Sequence, residues 1–112
     1  MTTGSFAYYV VRKKDPTSEP SSLIAAWVDA TTPLRAVLWS VPRKAWIYAP
    51  GPAAGMIYDD RHRDEVQPVD RQTAERIARE SLEQELPSEE ELHRICEEGA
   101  RQGWTWGPPM SA

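Results

Sequence analysis

The residues with most capacity for chemistry are crowded into Asp59-Asp60-Arg61-His62-Arg63-Asp64-Glu65. Carboxylates and imidazoles are the usual oxygen and nitrogen ligands of metal ions. Here the spacing matches no ligand signature, and the two arginines inside the run would repel a cation. The cluster therefore reads as a solvated loop, and a small hydrolase working from it would need a metal that the spacing does not promise. His93 and Cys96 stand three apart in a helical stretch, so their side chains can approach on one face. A Cys–His pair is the seed of a thiol nucleophile. Yet Cys96 falls on the apolar stripe with Glu97 and Glu98 beside it, and negative neighbours raise a thiol pKa, the reverse of activation. No Gly-rich phosphate loop, Ser-His-Asp order or paired-carboxylate motif is present. The expectation is a chain with no catalytic residues, no metal and no cofactor.

Binding chemistry has more candidates. Arg12, Lys13, Lys14, Arg43 and Lys44, set among Trp39, Trp46 and Tyr48, have the mixture of cations and stacking rings that single-stranded nucleic-acid binders use. The net charge of −4 works against phosphate binding, whose affinity is largely electrostatic. The rings also have apolar neighbours, which suits a core better than an open face. The second half of the chain is acidic. Residues 59–112 hold fourteen acidic side chains against seven basic, whereas residues 1–58 hold three against six. Glu89, Glu90, Glu97 and Glu98 belong to an acidic helical surface that suits a basic protein partner. Such complementarity mainly speeds encounter and sharpens the choice of partner. Interleaved arginines, for example Arg79 four residues after Glu75, soften that surface through i,i+4 pairing. Trp104 and Trp106, flanked by glycine and proline, either tuck back onto the domain or are offered to a partner, since tryptophan is enriched at binding hot spots.

The bulk numbers limit the setting. A chain of 112 residues reads as a single α+β domain, residues 1–112, with a Trp/Pro-rich tail over 103–112. The single cysteine excludes an intramolecular disulfide and a Cys-based zinc site. The first six residues lack the basic and apolar regions of a signal peptide. The longest apolar runs fall well short of the roughly 18 residues a membrane span needs. A cytoplasmic protein with no membrane partner is expected. Ten arginines against three lysines fit a high-GC bacterium or its phage.

The elements follow from periodicity. Residues 6–12 are aromatic and β-branched, apolar on both faces, and read as an interior strand. The Pro- and Ser-rich run 15–22 reads as a loop, and strands are expected at 23–29, 34–41 and 45–49. Pro42-Arg43-Lys44 links the last two as a hairpin in which Trp39 faces Trp46 and Tyr48, a cross-strand register signal. Residues 50–55 read as a flexible connection. Met56-Ile57-Tyr58 and Glu65-Val66-Gln67 are candidates for a short fifth strand. From Asp70 the period changes to that of a helix: Ala74, Ile77, Ala78, Ser81 and Leu82 form one stripe over 71–85, capped by Asp70. Ser88 and Glu91 match a capping box for a second helix over 89–102, ending near Gly103. The fold expected is α+β: an antiparallel sheet of four to five strands over residues 6–58, covered on one face by two C-terminal helices. The function expected is that of a non-enzymatic protein-interaction module of the adaptor, inhibitor or immunity type, with nucleic-acid binding as the alternative. Trp104 and Trp106 are expected to be at least half buried, one of them against the sheet or the helix pair, because an aromatic side chain can bury ~150–250 Å², worth a few kcal/mol at ~25 cal/mol per Å². Truncation after Gln102 should therefore lower the melting temperature by several degrees; unchanged stability with loss of partner binding would make the tail a ligand segment instead.

Overall fold

The computed structural model describes residues 5–12, 20–28, 35–41, 43–58 and 65–103. Five strands form one sheet: β1 (Ser5–Arg12), β2 (Pro20–Val28), β3 (Arg35–Ser40), β4 (Ala45–Tyr48) and β5 (Val66–Val69). Three helices accompany it, α1 (Pro50–Tyr58), α2 (Arg71–Ser81) and α3 (Glu89–Gln102). The strand order is β4-β3-β2-β1-β5, and every described pairing is antiparallel. The first four strands are a meander. β5 returns to the free side of β1, which makes β1 an interior strand.

Alternation assigns the side chains to two faces. On one face Phe6, Tyr8 and Val10 join Leu23, Ala25, Val37 and Tyr48 beneath α2 and α3. On the other, Ile24, Ala26, Ala36, Leu38 and Ile47 pack beneath α1, with Ala53 fully buried. The sheet is thus covered twice, and the second cover is a correction to the sequence reading. Residues 50–58 form neither a flexible connection nor a returning strand. Pro50, Gly51 and Pro52 occupy the first turn of α1, where backbone N–H groups have no intrahelical acceptor, so two prolines cost the helix nothing. The first amide that needs such an acceptor belongs to Ala53, and it donates to the Ala49 carbonyl at 3.2 Å.

Three other boundaries differ from expectation. β2 begins at Pro20, because the register shift between Val11 and Arg12 brings Pro20 opposite Arg12. The buried Ser22 within it donates its hydroxyl to the Trp39 carbonyl at 2.6 Å. The fifth strand grows from the 65–67 candidate, with Pro68 tolerated because β5 is an edge. Helix α2 stops at Ser81 instead of 85. Glu83 adopts a left-handed backbone (φ 56°), the Gln84 amide caps the Ala78 carbonyl at 2.9 Å, and the chain turns so that Leu86 enters the core.

The expected caps are present. Asp70 accepts from the Thr73 amide at 2.7 Å, and Ser88 from the Glu91 amide at 3.1 Å. The Glu91 carboxylate engages Arg94 at 2.6 Å, forward along the helix. Gly103 ends α3 in the left-handed conformation (φ 72°).

Two contacts orient the C-terminal helices. Arg71, on the first turn of α2, donates to the Tyr8 hydroxyl at 2.6 Å and to the Pro87 carbonyl at 2.9 Å. It thereby ties β1, α2 and the α2–α3 link together. α3 crosses β4 so closely that a Cβ on Gly99 would overlap both the Tyr48 ring and the Tyr48 Cβ. Ring rotation cannot relieve the second overlap, so the helix itself would have to move. Gly99→Ala should cost ~1–3 kcal/mol through overpacking and lower the melting temperature measured by circular dichroism. Gly55→Ala in α1, where nothing lies within 4 Å of the added carbon, is the control and should be neutral or stabilising.

Candidate functional site

β4 lies at one edge of the sheet and α3 beside it. Between them runs a cleft of about 330 Å³, floored by Trp46, Tyr48 and Ile95 and rimmed by Glu91, Arg94 and Glu98. The rim residues fall at i, i+3 and i+7 of α3, with Ile95 at i+4, so one stripe of the helix forms the wall. Trp46 is held from behind by Trp39, its direct cross-strand partner, with ring centroids 5.3 Å apart. Ile95 and Trp46 are each partly buried against the core, leaving the remainder of both side chains to line the cleft.

α3 carries five glutamates against two arginines. Glu89, Glu90 and Glu97 are exposed. Arg94 pairs with Glu91 and, at 3.9 Å, with Glu90, while Arg101 pairs with Glu98. Pairing therefore neutralises part of this surface and leaves it net acidic. On α2 the pairs are Arg71 with Glu75 at 3.6 Å and Arg76 with Glu80 at 3.7 Å; Glu75 is engaged by Arg71 in place of the expected Arg79.

The cations are placed elsewhere. Arg12 ends β1, and its amide donates to the Glu65 carbonyl at 2.7 Å. Arg43 and Lys44 form the β3–β4 turn, where the Arg43 amide donates to the Ser40 hydroxyl oxygen at 3.3 Å. The antiparallel register puts the end of β1 and this turn at the same end of the sheet. The rings are not with them on an open surface. Trp39 is 7% exposed, and Trp46 and Tyr48 lie on the face covered by α3. Lys13, Lys14, Trp104, Trp106 and residues 59–64 lie outside the described residues. Among the described residues no group of histidine, cysteine and carboxylate side chains could hold a metal ion, and no helix is long and apolar enough to cross a membrane.

Packing gives His93 and Cys96 different surroundings. The His93 ring stands edge-on to Phe6 and Trp27, at centroid distances of 4.9 and 4.5 Å, so it serves as the third member of an aromatic cluster. Cys96 lies in the core beneath α3. Burial pushes its thiol up to about 11, with nearby Arg35 opposing and Glu97 adding to the shift. Burial of this kind works against thiolate formation, which nucleophilic attack and metal ligation both need. Burial likewise raises the Tyr8 and Tyr48 hydroxyls, for Tyr8 against the opposing pull of Arg71.

Spacing places Trp46 and Tyr48 in a hairpin but not at a sheet edge, and it puts Ile95 on the apolar stripe of the second helix and Arg94 among its interleaved cations without marking either as part of a site. The hairpin was legible from spacing; that no later strand pairs with β4 among the described residues was not. Comparison with protein-family models, with curated proteins and with solved structures finds no match to this chain.

The thiol supplies a test of the packing. Its folded-state pKa is raised, so the stability it contributes is complete below the ordinary value of 9.0 and is lost as pH rises toward about 11. Denaturant titrations across that window should show stability falling with pH, and Cys96→Ala should flatten the slope. An unchanged slope would mean that the thiol is open to water.

Proposed function

We propose that this chain is a non-enzymatic protein-interaction module of the adaptor, inhibitor or immunity type, with a basic protein as its partner. The observation that carries the reading is the meeting of a sheet edge, an apolar cleft and an acidic helix at β4 and α3. Apolar area supplies affinity in such a site and the charge supplies selectivity. The groups best suited to catalysis are used otherwise: His93 packs on two aromatic rings, and Cys96 is buried with a raised pKa. A single buried thiol also suits a reducing cytoplasm, where we place the module.

The second reading, nucleic-acid binding, has in its favour the gathering of Arg12, Arg43 and Lys44 at one end of the sheet. Against it stands the burial of Trp39, which among the described residues leaves only part of Trp46 open for stacking near those cations. Retention on single-stranded DNA that weakens steeply with salt would promote it over the first.

Affinity purification from a native-like lysate tests the leading reading. The wild-type chain should retain a basic protein that added salt releases, and the triple variant Glu89→Gln, Glu90→Gln, Glu97→Gln should retain less of it. Turnover of a small molecule with no protein retained would overturn the proposal.

A further inference from the structure

We propose that the outer edge of β4 is a strand-addition site for a short extended segment of the partner, one that alternates apolar side chains with lysine or arginine. This rests on the interaction reading and specifies its geometry.

The backbone pattern defines the hydrogen-bonding groups. The Ala49 amide donates inward to the Ala36 carbonyl at 2.9 Å, and from there antiparallel pairs alternate along the β3–β4 ladder. Ile47 and Ala45 therefore turn their amides and carbonyls toward β3. Trp46 and Tyr48 turn theirs away from it, where no strand receives them among the described residues. An incoming strand would find two donors and two acceptors already in register.

The opposite edge lacks this invitation. The Arg12 amide donates to the Glu65 carbonyl, and the same alternation along β1–β5 turns the backbone nitrogen of Pro68 outward. A proline at that position removes an outward donor, a common means of protecting an edge from further pairing. β4, Ala45-Trp46-Ile47-Tyr48, has neither proline nor charge. The asymmetry between the edges favours β4 as the one used.

The cleft and its rim identify the occupant. Side chains of an added strand that share the face of Trp46 and Tyr48 enter the space lined by Ile95, which selects apolar groups. The neighbouring α3 is net acidic, which selects a cationic segment. Charge also decides against a second copy of this chain, since pairing β4 with β4 would set two acidic α3 helices side by side. The segment 104–112 carries no charged side chain, so the acidic wall offers it no electrostatic gain.

Hydrogen exchange of the full chain, read at the Trp46 and Tyr48 amides, tests the proposal with three synthetic peptides. A short peptide of alternating valine and lysine should slow exchange at both amides, and added salt should weaken its binding. The same peptide with glutamate for lysine should have no effect. The cationic peptide with N-methyl groups on the amides that would face β4 should bind about tenfold more weakly, since two backbone hydrogen bonds are lost. The modification is made on the peptide, so folding of the chain is not at issue. Equal binding of the N-methylated peptide would overturn the proposal. Protection in the free chain that rises with its concentration, or that disappears on truncation after Gly103, would also overturn it, by assigning the edge to a second copy or to residues 104–112. A partner retained from lysate that leaves both amides unprotected would sink the edge while the interaction reading stands. Absence of both a partner and peptide binding would sink both.

Discussion

The constraint on which the structure depends is that its inner strands are apolar at consecutive positions. Residues 23–26 of β2 and 36–39 of β3 are apolar and buried without interruption, so neither face of the sheet can be left to water. An antiparallel sheet commonly buries one face and solvates the other; this one has no polar face at its centre. Ile24, Ala26, Ala36 and Leu38 demand a cover as firmly as Leu23, Ala25 and Val37 do. The chain meets the first demand at once, by coiling residues 50–58 into α1 directly after β4. It meets the second with α2 and α3, which follow β5. The small side chains Ala25, Ala26, Ala36, Ala49 and Ala53 leave room for helices on both sides of one sheet.

Covering a face is non-directional, so other contacts must orient the covers. Arg71 does this for α2: its guanidinium bonds Tyr8 on the sheet and the Pro87 carbonyl of the interhelical link, and lies 5.5 Å from the centre of the Tyr8 ring. Hydrogen bonds of a charged donor are stronger than neutral ones, and a planar fork can hold two partners at once. Gly99 does it for α3, by letting the helix backbone come against Tyr48. The approach leaves the α3 stripe from Glu91 to Glu98 standing beside β4, and the cleft between them is the consequence.

These packing requirements also account for what the surface retains. Aromatic rings that would suit nucleic-acid stacking are drawn into the sheet: Phe6, Trp27 and His93 form one cluster, and Trp39 backs Trp46. The thiol is in the core. What stays available is the β4 edge, the partly open Trp46 and Ile95, and a helix whose glutamates outnumber its arginines. These are the features on which the proposed interaction draws.

The division between sequence and tertiary structure follows the range of the forces. Local rules determined the helix caps, because Asp70, Ser88 and Gly103 act on backbone groups within a few residues of themselves. They determined the four meander strands in outline, the β3–β4 hairpin with Trp39 opposite Trp46, and the α+β class, but not the start of β2 at Pro20 or the helical state of residues 56–58. The apolar double face of β1 was legible too and marked an interior strand, but the sequence predicted a cover on one face only, and the second cover was not foreseen. Its source was missed because prolines and glycines at 50–55 resemble a turn until their place in the first turn of a helix is known. The burial of Cys96 could be read from its stripe, whereas the placement of His93 against Phe6 and Trp27 could not, since those residues are distant in the chain. The cleft was beyond the sequence altogether. Which strand becomes an edge depends on β5 pairing with β1 and not with β4, and periodicity within a segment contains no information about which partner another segment will choose.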